Sequence, residues 1–332
     1  MGFWHNQLAG PTNPAEDAGW KDPPPRKGFF TDTTICIGCK ACEVACKEWN
    51  AIPEDGLVYS GASYDNTMSL GASTWRHVAF IEQPADQIER ARDEGRRLVD
   101  LGMPSMRQDG GGPPDLAGEA LDQAVTAAKV AQQIGSVPDF RWLMASDVCK
   151  HCTHAGCLDV CPTGALFRTE FGTVVVQADV CNGCGNCVPA CPFGVIERRD
   201  GDKKVKNAGN AQKCTLCYDR ISVDMQPACA KACPTTSIKF GDLDVLRTIA
   251  QERVETLHEN GFTEARLYGA NETDGVGGAG SVFLLMDEPE VYGLPPDPVV
   301  PTADLAAMFR AAGYAASAMI ATVGLAFLWR RS

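Results

Sequence analysis

Sixteen cysteines fall into four runs along the chain, and every run closes with a Cys-x3-Cys step. The first run is Cys36, Cys39, Cys42 and Cys46, and the third is Cys181, Cys184, Cys187 and Cys191. Both read C-x2-C-x2-C-x3-C, the spacing that lets three thiolates embrace one face of an iron–sulfur cubane. The second run, Cys149, Cys152, Cys157 and Cys161, widens the middle gap to four residues. The fourth, Cys214, Cys217, Cys229 and Cys233, widens it to eleven. Pro162, Pro192 and Pro234 follow three of the closing cysteines. All the cysteines are used, and their number suits four [4Fe–4S] clusters with four ligands each.

Two other chemistries compete for such a chain. Disulfide frameworks belong to short secreted domains. This sequence has 332 residues, and Met1 to Gln7 lacks the charge and apolar core of an export signal. Zinc also takes four cysteines from C-x2-C pairs, but structural zinc usually joins two distant pairs. A zinc-stabilised scaffold at a membrane is therefore the rival from a different class.

A cubane saturated by thiolates keeps no open position for a substrate, so the pattern describes a wire rather than a reaction centre. The five histidines are scattered, no H-E-x-x-H occurs, and no catalytic residue is assigned. The net charge of −12 weighs against nucleic-acid binding. Lys40, Lys47, Lys150 and Lys213 adjoin or neighbour ligand cysteines and would raise cluster potentials if buried there. Gly275 to Gly280 matches G-x-G-x-x-G, but a strand-like Ser281 to Met286 follows it where nucleotide binding needs a helix. A flexible turn leading into a strand is the reading adopted.

The elements that position the thiols follow from the cluster geometry. In paired-cluster ferredoxin folds the fourth cysteine of a run serves the other cluster. The four runs therefore pair, and three pairings are possible. Ala165 to Thr169 and Thr173 to Gln177 read as two strands with Gly172 in the turn, a short hairpin joining the second and third runs. The first run then pairs with the fourth, and Gly28 to Thr31 and Ser237 to Phe240 read as a matching strand pair. The resulting scheme has four sites. Site A takes Cys36, Cys39, Cys42 and Cys233; site B takes Cys46, Cys214, Cys217 and Cys229. Site C takes Cys149, Cys152, Cys157 and Cys191; site D takes Cys161, Cys181, Cys184 and Cys187.

The expected fold is α+β: two pseudo-symmetric ferredoxin-like dicluster modules, a helical insert and one C-terminal transmembrane helix. Residues 1–81 begin the first module, and 201–300 complete it with the fourth run and a peripheral helix and strand. Residues 141–200 form the second module. Residues 82–140 hold no cysteine, and Ala85 to Leu101 and Asp115 to Ile134 read as helices around a Gly-Pro break. Asp242 to Asn260 reads as a helix burying Leu246, Ile249, Val254 and Leu257. Residues 301–332 form the anchor. Ala311 to Trp329 carries no charge and spans about 28 Å as a helix, close to a bilayer core. Gly313, Ser317 and Ala321 give it a small-residue face, and Arg330-Arg331 place its C-terminus in the cytoplasm and the cluster modules outside.

With these pieces assembled, the chain resembles the iron–sulfur (beta) subunits of membrane-bound respiratory formate dehydrogenases, within the molybdopterin oxidoreductase superfamily. The resemblance rests on CIGCKACEVACKEWN from Cys36, YDN from Tyr64, KCTLCYDRIS from Lys213 and PACAKACPT from Pro227. GVGG from Gly275, GLPPDP from Gly293 and the single anchor helix extend it. Cysteine spacing alone also fits subunits of dimethyl sulfoxide, tetrathionate or polysulfide reductases. The resemblance implies a large molybdenum or tungsten subunit that oxidises formate, and a membrane cytochrome b that delivers the electrons to quinone. It implies the same ligand sets, with site A nearest the catalytic subunit and site D nearest the haem. It also implies export alongside a signal-bearing large subunit. The stretch 82–140 departs from the family, where a much shorter link is expected.

Overall fold

A computed structural model of the chain describes residues 13–55, 67, 69–100, 140–202, 204–302 and 305–329. The short helix α1 (Pro14–Asp17) is capped by the Asn13 side chain, which accepts from the Ala15 N–H. Strand β1 (Lys27–Asp32) runs straight into the first cysteine run. Helix α2 (Ala41–Trp49) carries the last two cysteines of that run. Strands β2 (Arg76–Pro84) and β3 (Phe140–Val148) pair along their whole lengths, from Arg76 opposite Val148 to Pro84 opposite Phe140. Helix α3 (Ala85–Asp100) leaves the far end of that hairpin.

The chain from the second to the fourth cysteine run is made of short pieces. Helix α4 (Gly156–Asp159) lies in the second run. Strands β4 (Leu166–Arg168) and β5 (Val174–Val176) form the expected hairpin, with Gly172 at φ +73 in its turn. Strands β6 (Glu197–Arg198) and β7 (Ala211–Gln212) pair after the third run. Helices α5 (Tyr218–Ile221) and α6 (Ala228–Ala232) shape the fourth run.

Strand β8 (Ile238–Asp242) then lies antiparallel to β1, with Phe30 opposite Lys239. This is the strand pair expected between the flanks of the first and fourth runs. Helix α7 (Leu243–Glu259), strand β9 (Arg266–Tyr268) and strand β10 (Ser281–Leu285) complete the body. The main sheet has the order β8-β1-β10-β9, with β10 parallel to β1.

The principal core sits where α7 covers that sheet. Phe29, Phe30, Val282, Phe283, Leu284 and Leu285 are fully buried, each contributing about 1.5–3 kcal/mol of burial. On α7 the buried stripe is Leu243, Leu246, Ala250, Val254 and Leu257, the i, i+3, i+4 progression of one helix face. Ile249 was expected on this face. It lies at its edge, half-buried, because Ala250 falls closer to the axis of the stripe.

Part of the insert docks on this chain's own body. Ile88 and Ala91 of α3 are buried, and a Cβ on Gly95 would stand 2.3 Å from the Thr263 carbonyl oxygen. The fully buried Glu264 carboxylate accepts from Arg141 at 2.9 Å and lies 3.6 Å from Arg92, tying hairpin, insert helix and body together. The helix expected over Asp115 to Ile134 lies outside the described residues.

The last helix, α8 (Leu305–Trp329), has 25 residues. Met308, Phe309, Tyr314, Met319, Ile320 and Val323 on it are all exposed. Among the described residues no helix is long and apolar enough to cross a membrane.

Candidate metal centres

The first Cys-x-x-Cys step of each of the four runs shares one backbone signature. Its third residue is left-handed in every case: Gly38 at φ +65, His151 at +44, Gly183 at +70 and Leu216 at +57. A left-handed residue inside such a turn points successive N–H groups to one side, making a concavity suited to an anion. Glycine adopts this conformation freely. His151 and Leu216 do so at a cost of about 1–3 kcal/mol each, and both are buried. Sequence reasoning had no way to see that these two positions share the conformation of Gly38 and Gly183.

The structure brings the cysteines into four neighbourhoods. Burial pushes the Cys36 thiol up, and Cys42, Cys233 and Cys39 around it push further. Burial raises Cys46 well above the ordinary thiol range, with Cys214, Cys229 and Cys217 adding to it. Cys152 is raised by burial and then by Cys149, Cys191 and Cys157. Cys187 is pushed up to about 11 by burial, with Cys181, Cys184 and Cys161 as its thiol neighbours. Each neighbourhood joins three cysteines of one run with one of another.

Helices make this exchange. Cys42 and Cys46 stand four apart on α2, so they share a face one turn apart. Cys42 faces the first loop, and Cys46 faces the fourth run. Cys229 on α6 and Cys233 just beyond it divide in the same way.

The neighbourhoods also adjoin one another in a row. Cys42 of the first feels Cys229 of the second, and Cys149 of the third is the strongest thiol influence on Cys214 of the second. Cys157, Cys161, Cys181 and Cys191 of the third and fourth pack on one small core of Ala155, Leu166, Val174, Cys187, Ile196 and Ala211.

These surroundings fit a polynuclear cluster. Cys36, Cys39, Cys42 and Cys233 line a hollow of about 290 Å³, open mouth included. Cys149, Cys152, Cys157 and Cys191 line another of about 360 Å³. Among the described residues no group of three or more His, Cys, Asp or Glu side chains is arranged to hold a single metal ion. Four thiols around a hollow of this size suit a cubane. Burial and mutual repulsion keep these free thiols protonated, and metal ligation would displace their protons.

The four lysines divide. Lys150 and Lys213 are fully buried, whereas Lys40 and Lys47 are half-exposed. The Lys150 ammonium pairs with Asp147 and lies over the rings of Phe283 and Phe193. Lys213 donates to the backbone carbonyls of Val174 and Cys214, and its charge favours ionisation of Cys157. Lys40 pairs with Glu43 at 3.4 Å.

Several polar groups that spacing alone does not reveal touch the sulfurs. Ser146 Oγ lies 3.2 Å from Cys42 Sγ. Asn50 Nδ2 approaches Cys46 Sγ at 3.7 Å and Cys217 Sγ at 4.0 Å. Thr163 and Thr235 hydroxyls each stand 3.7 Å from Cys161 and Cys233. Both threonines follow a Cys-Pro pair, so their matching role was visible in the sequence as a repeated Cys-Pro-Thr. The Gly275 to Gly280 loop is packed rather than flexible. Val276, Ala279 and Gly280 are buried, and the loop exchanges backbone hydrogen bonds with Lys150, Thr153 and His154. It braces the second cysteine loop, and a strand follows it.

The fold and the thiol sets define a ferredoxin-like iron–sulfur electron-transfer protein. The 4Fe-4S dicluster domain family matches residues 140–243, and a 4Fe-4S binding domain family matches residues 33–49. The formate dehydrogenase iron–sulfur subunit of Haemophilus influenzae is 35% identical over 273 residues, 81% of this chain and 68% of that protein. The nitrate-inducible formate dehydrogenase iron–sulfur subunit of Escherichia coli is 34% identical over 82% of this chain and 73% of that protein. The B subunit of the anaerobic dimethyl sulfoxide reductase of Escherichia coli is 29% identical over 66% of this chain and 75% of that protein. The chain belongs to the family of formate dehydrogenase iron–sulfur subunits. It is an electron-transfer subunit that holds [4Fe–4S] clusters.

Proposed function

We propose that this subunit takes electrons from a molybdenum or tungsten subunit that oxidises formate, and hands them to a membrane cytochrome b that reduces quinone. When bound, the clusters accept and release single electrons. The chain's own residues hold them in a row, and that row is the observation that carries the reading: Cys42 beside Cys229, Cys214 beside Cys149, and Cys157 and Cys161 on a common core.

The ligand sets follow the four neighbourhoods. Cys36, Cys39, Cys42 and Cys233 hold cluster A. Cys46, Cys214, Cys217 and Cys229 hold cluster B. Cys149, Cys152, Cys157 and Cys191 hold cluster C. Cys161, Cys181, Cys184 and Cys187 hold cluster D. The exposure of Cys39 and of Cys184 supports A and D as the two ends of the row, with A toward the catalytic subunit and D toward the haem.

Helix α8 serves as a single-pass membrane anchor in this reading. Its 25 residues reach about 37 Å, enough for a bilayer core, and its apolar side chains Met308, Phe309, Met319, Ile320 and Val323 are exposed among the described residues. Gly313, Tyr314, Ser317 and Thr322 lower its hydropathy, which suits packing against a partner's helices. Arg330 and Arg331 favour a cytoplasmic C-terminus with the clusters on the outer face.

The test uses the complex captured from membranes on this chain. Cys187→Ser is expected to abolish formate-dependent quinone reduction while formate oxidation with an artificial dye continues. Quinone activity surviving that change would remove D from the route. A complex rich in iron but inactive with formate would assign the same wire to another catalytic partner, such as a dimethyl sulfoxide reductase.

A further inference from the structure

Arg76 opens β2 and is 2% exposed, yet among the described residues its charge has no acidic partner. Its Nη1 donates to Ser146 O at 3.2 Å and to Ser146 Oγ at 3.1 Å. The guanidinium lies 4.7 Å from the centroid of the Phe29 ring. Nε and Nη2 have no oxygen or nitrogen to donate to, although both are enclosed. Arg76 still hydrogen-bonds the Cys229 thiol, and a buried cation whose remaining donors meet only sulfur is costly unless an anion completes it.

What surrounds Arg76 is thiols from two different sites. Burial opposes its charge, but Cys229, Cys42, Cys214 and Cys46 together hold the guanidinium more firmly protonated than usual. Cys42 belongs to the A set and the other three to the B set. Ser146, which fixes Nη1, also lies 3.2 Å from Cys42 Sγ. The residue therefore stands at the A–B junction, held from one side and open toward sulfur on the other.

We propose that Arg76 is a positioning residue whose fixed charge is the shared counter-cation of clusters A and B, raising the reduction potentials of both. Each electron accepted adds negative charge beside a cation that has no carboxylate partner among the described residues, so the reduced forms gain more than the oxidised ones. The inference rests on the ligand sets given above. It differs from the lysine contributions because Arg76 keeps two enclosed donors, Nε and Nη2, with no oxygen or nitrogen partner. Arginine suits this place: its planar fork is always charged and offers separate donors in two directions.

The experiment is a redox titration of the whole complex, purified without oxygen and followed by the paramagnetic signals of the reduced clusters. Wild-type protein comes first. At least about 16 iron atoms per chain, on top of any the partner subunits carry, are required for four cubanes, so absence of the cubanes shows before any variant is examined. Cys39→Ser and Cys217→Ser assign the A and B midpoints. In Arg76→Gln both midpoints are expected to fall while those of C and D stay in place, and Arg76→Lys is expected to restore most of the loss. Unmoved A and B midpoints, or an equal fall of all four, would overturn the proposal. Should Arg76→Gln lose iron, Arg76→Lys decides alone. Full iron with A and B near their wild-type midpoints supports a charge role, and iron loss there too would show that Arg76 acts only by packing.

Discussion

The inner sites B and C and the outer sites A and D use similar loops but live in different surroundings. Cys46, Cys214, Cys217 and Cys229 are all buried. Burial and neighbouring thiols raise Cys214 beyond the ordinary thiol range and push Cys157 up to about 12, even though Lys213 opposes the shift at Cys157. At the outer sites Cys39 and Cys184 are exposed, and Cys161 is lowered. What burial costs Cys161 is outweighed by the N–H groups of Leu166, Thr163 and Ala165 and by the Thr163 hydroxyl. Fixed charge reaches Cys157 through Lys213 and Cys42 and Cys46 through Arg76, whereas Cys161 is stabilised by hydrogen bonds and Cys39 and Cys184 lie exposed. Potentials set by fixed charge respond to single buried residues, whereas those set by solvent respond to whatever docks over them.

The largest effect expected from this contrast is structural. Cys229→Ser removes a buried ligand of site B next to the core, and the chain should lose iron beyond one cluster and resist folding. Cys184→Ser should cost only the iron of site D and leave the remaining clusters reducible. Iron counts per chain and the reduced spectra check both, and equal losses would erase the distinction between inner and outer sites.

Next comes the loop backbone. Gly38→Ala forces a Cβ to 2.6 Å from Met144 Sδ and from the Phe80 ring at a left-handed position, for a loss of about 1–3 kcal/mol. Gly164→Ala, at φ +67 with nothing within 4 Å, should cost only about 1 kcal/mol. Denaturant midpoints of the loaded chain measure the difference.

Smaller shifts follow from the lysines. Lys213→Gln removes a buried charge beside Cys214 and Cys157, so the B and C midpoints should fall. Lys40→Gln, half-exposed and paired with Glu43, should move the A midpoint less. A redox titration that ranked them the other way would contradict the role given to burial.

The subtlest effect is on loading. A thiol raised to about 12, such as Cys157, keeps its proton at neutral pH, and cluster insertion must displace it. Reconstitution from iron and sulfide should therefore improve as pH rises, more steeply for site C than for the Cys161 side of site D. Iron retained per chain across pH 6 to 9 is the readout, and parallel curves would argue against the difference.

Much of this site was legible in the sequence because cluster ligation leaves a rigid spacing. The C-x2-C steps, the closing Cys-x3-Cys and the two flanking strand pairs all appear where the spacing put them. The third-position turn was legible only at Gly38 and Gly183, since His151 and Leu216 give no local sign of a left-handed backbone. Arg76 and Ser146 were missed for another reason. They lie on β2 and β3, far in sequence from any cysteine they approach, and only the pairing of that hairpin brings them to Cys42. The buried state of Lys150 and Lys213 was likewise a property of packing. The inserted segment gave its helix at Ala85 but not its partner Glu264, which lies beyond the fourth run.

The ligand sets are tested most directly by locating iron in the assembled complex through its anomalous scattering. Four iron centres are expected in a row on this chain, with Cys233 beside Cys36 at one end and Cys46 beside Cys229 at the next centre. A map that placed Cys46 on the same cluster as Cys36, or that showed single metal ions in place of cubanes, would contradict these ligand sets.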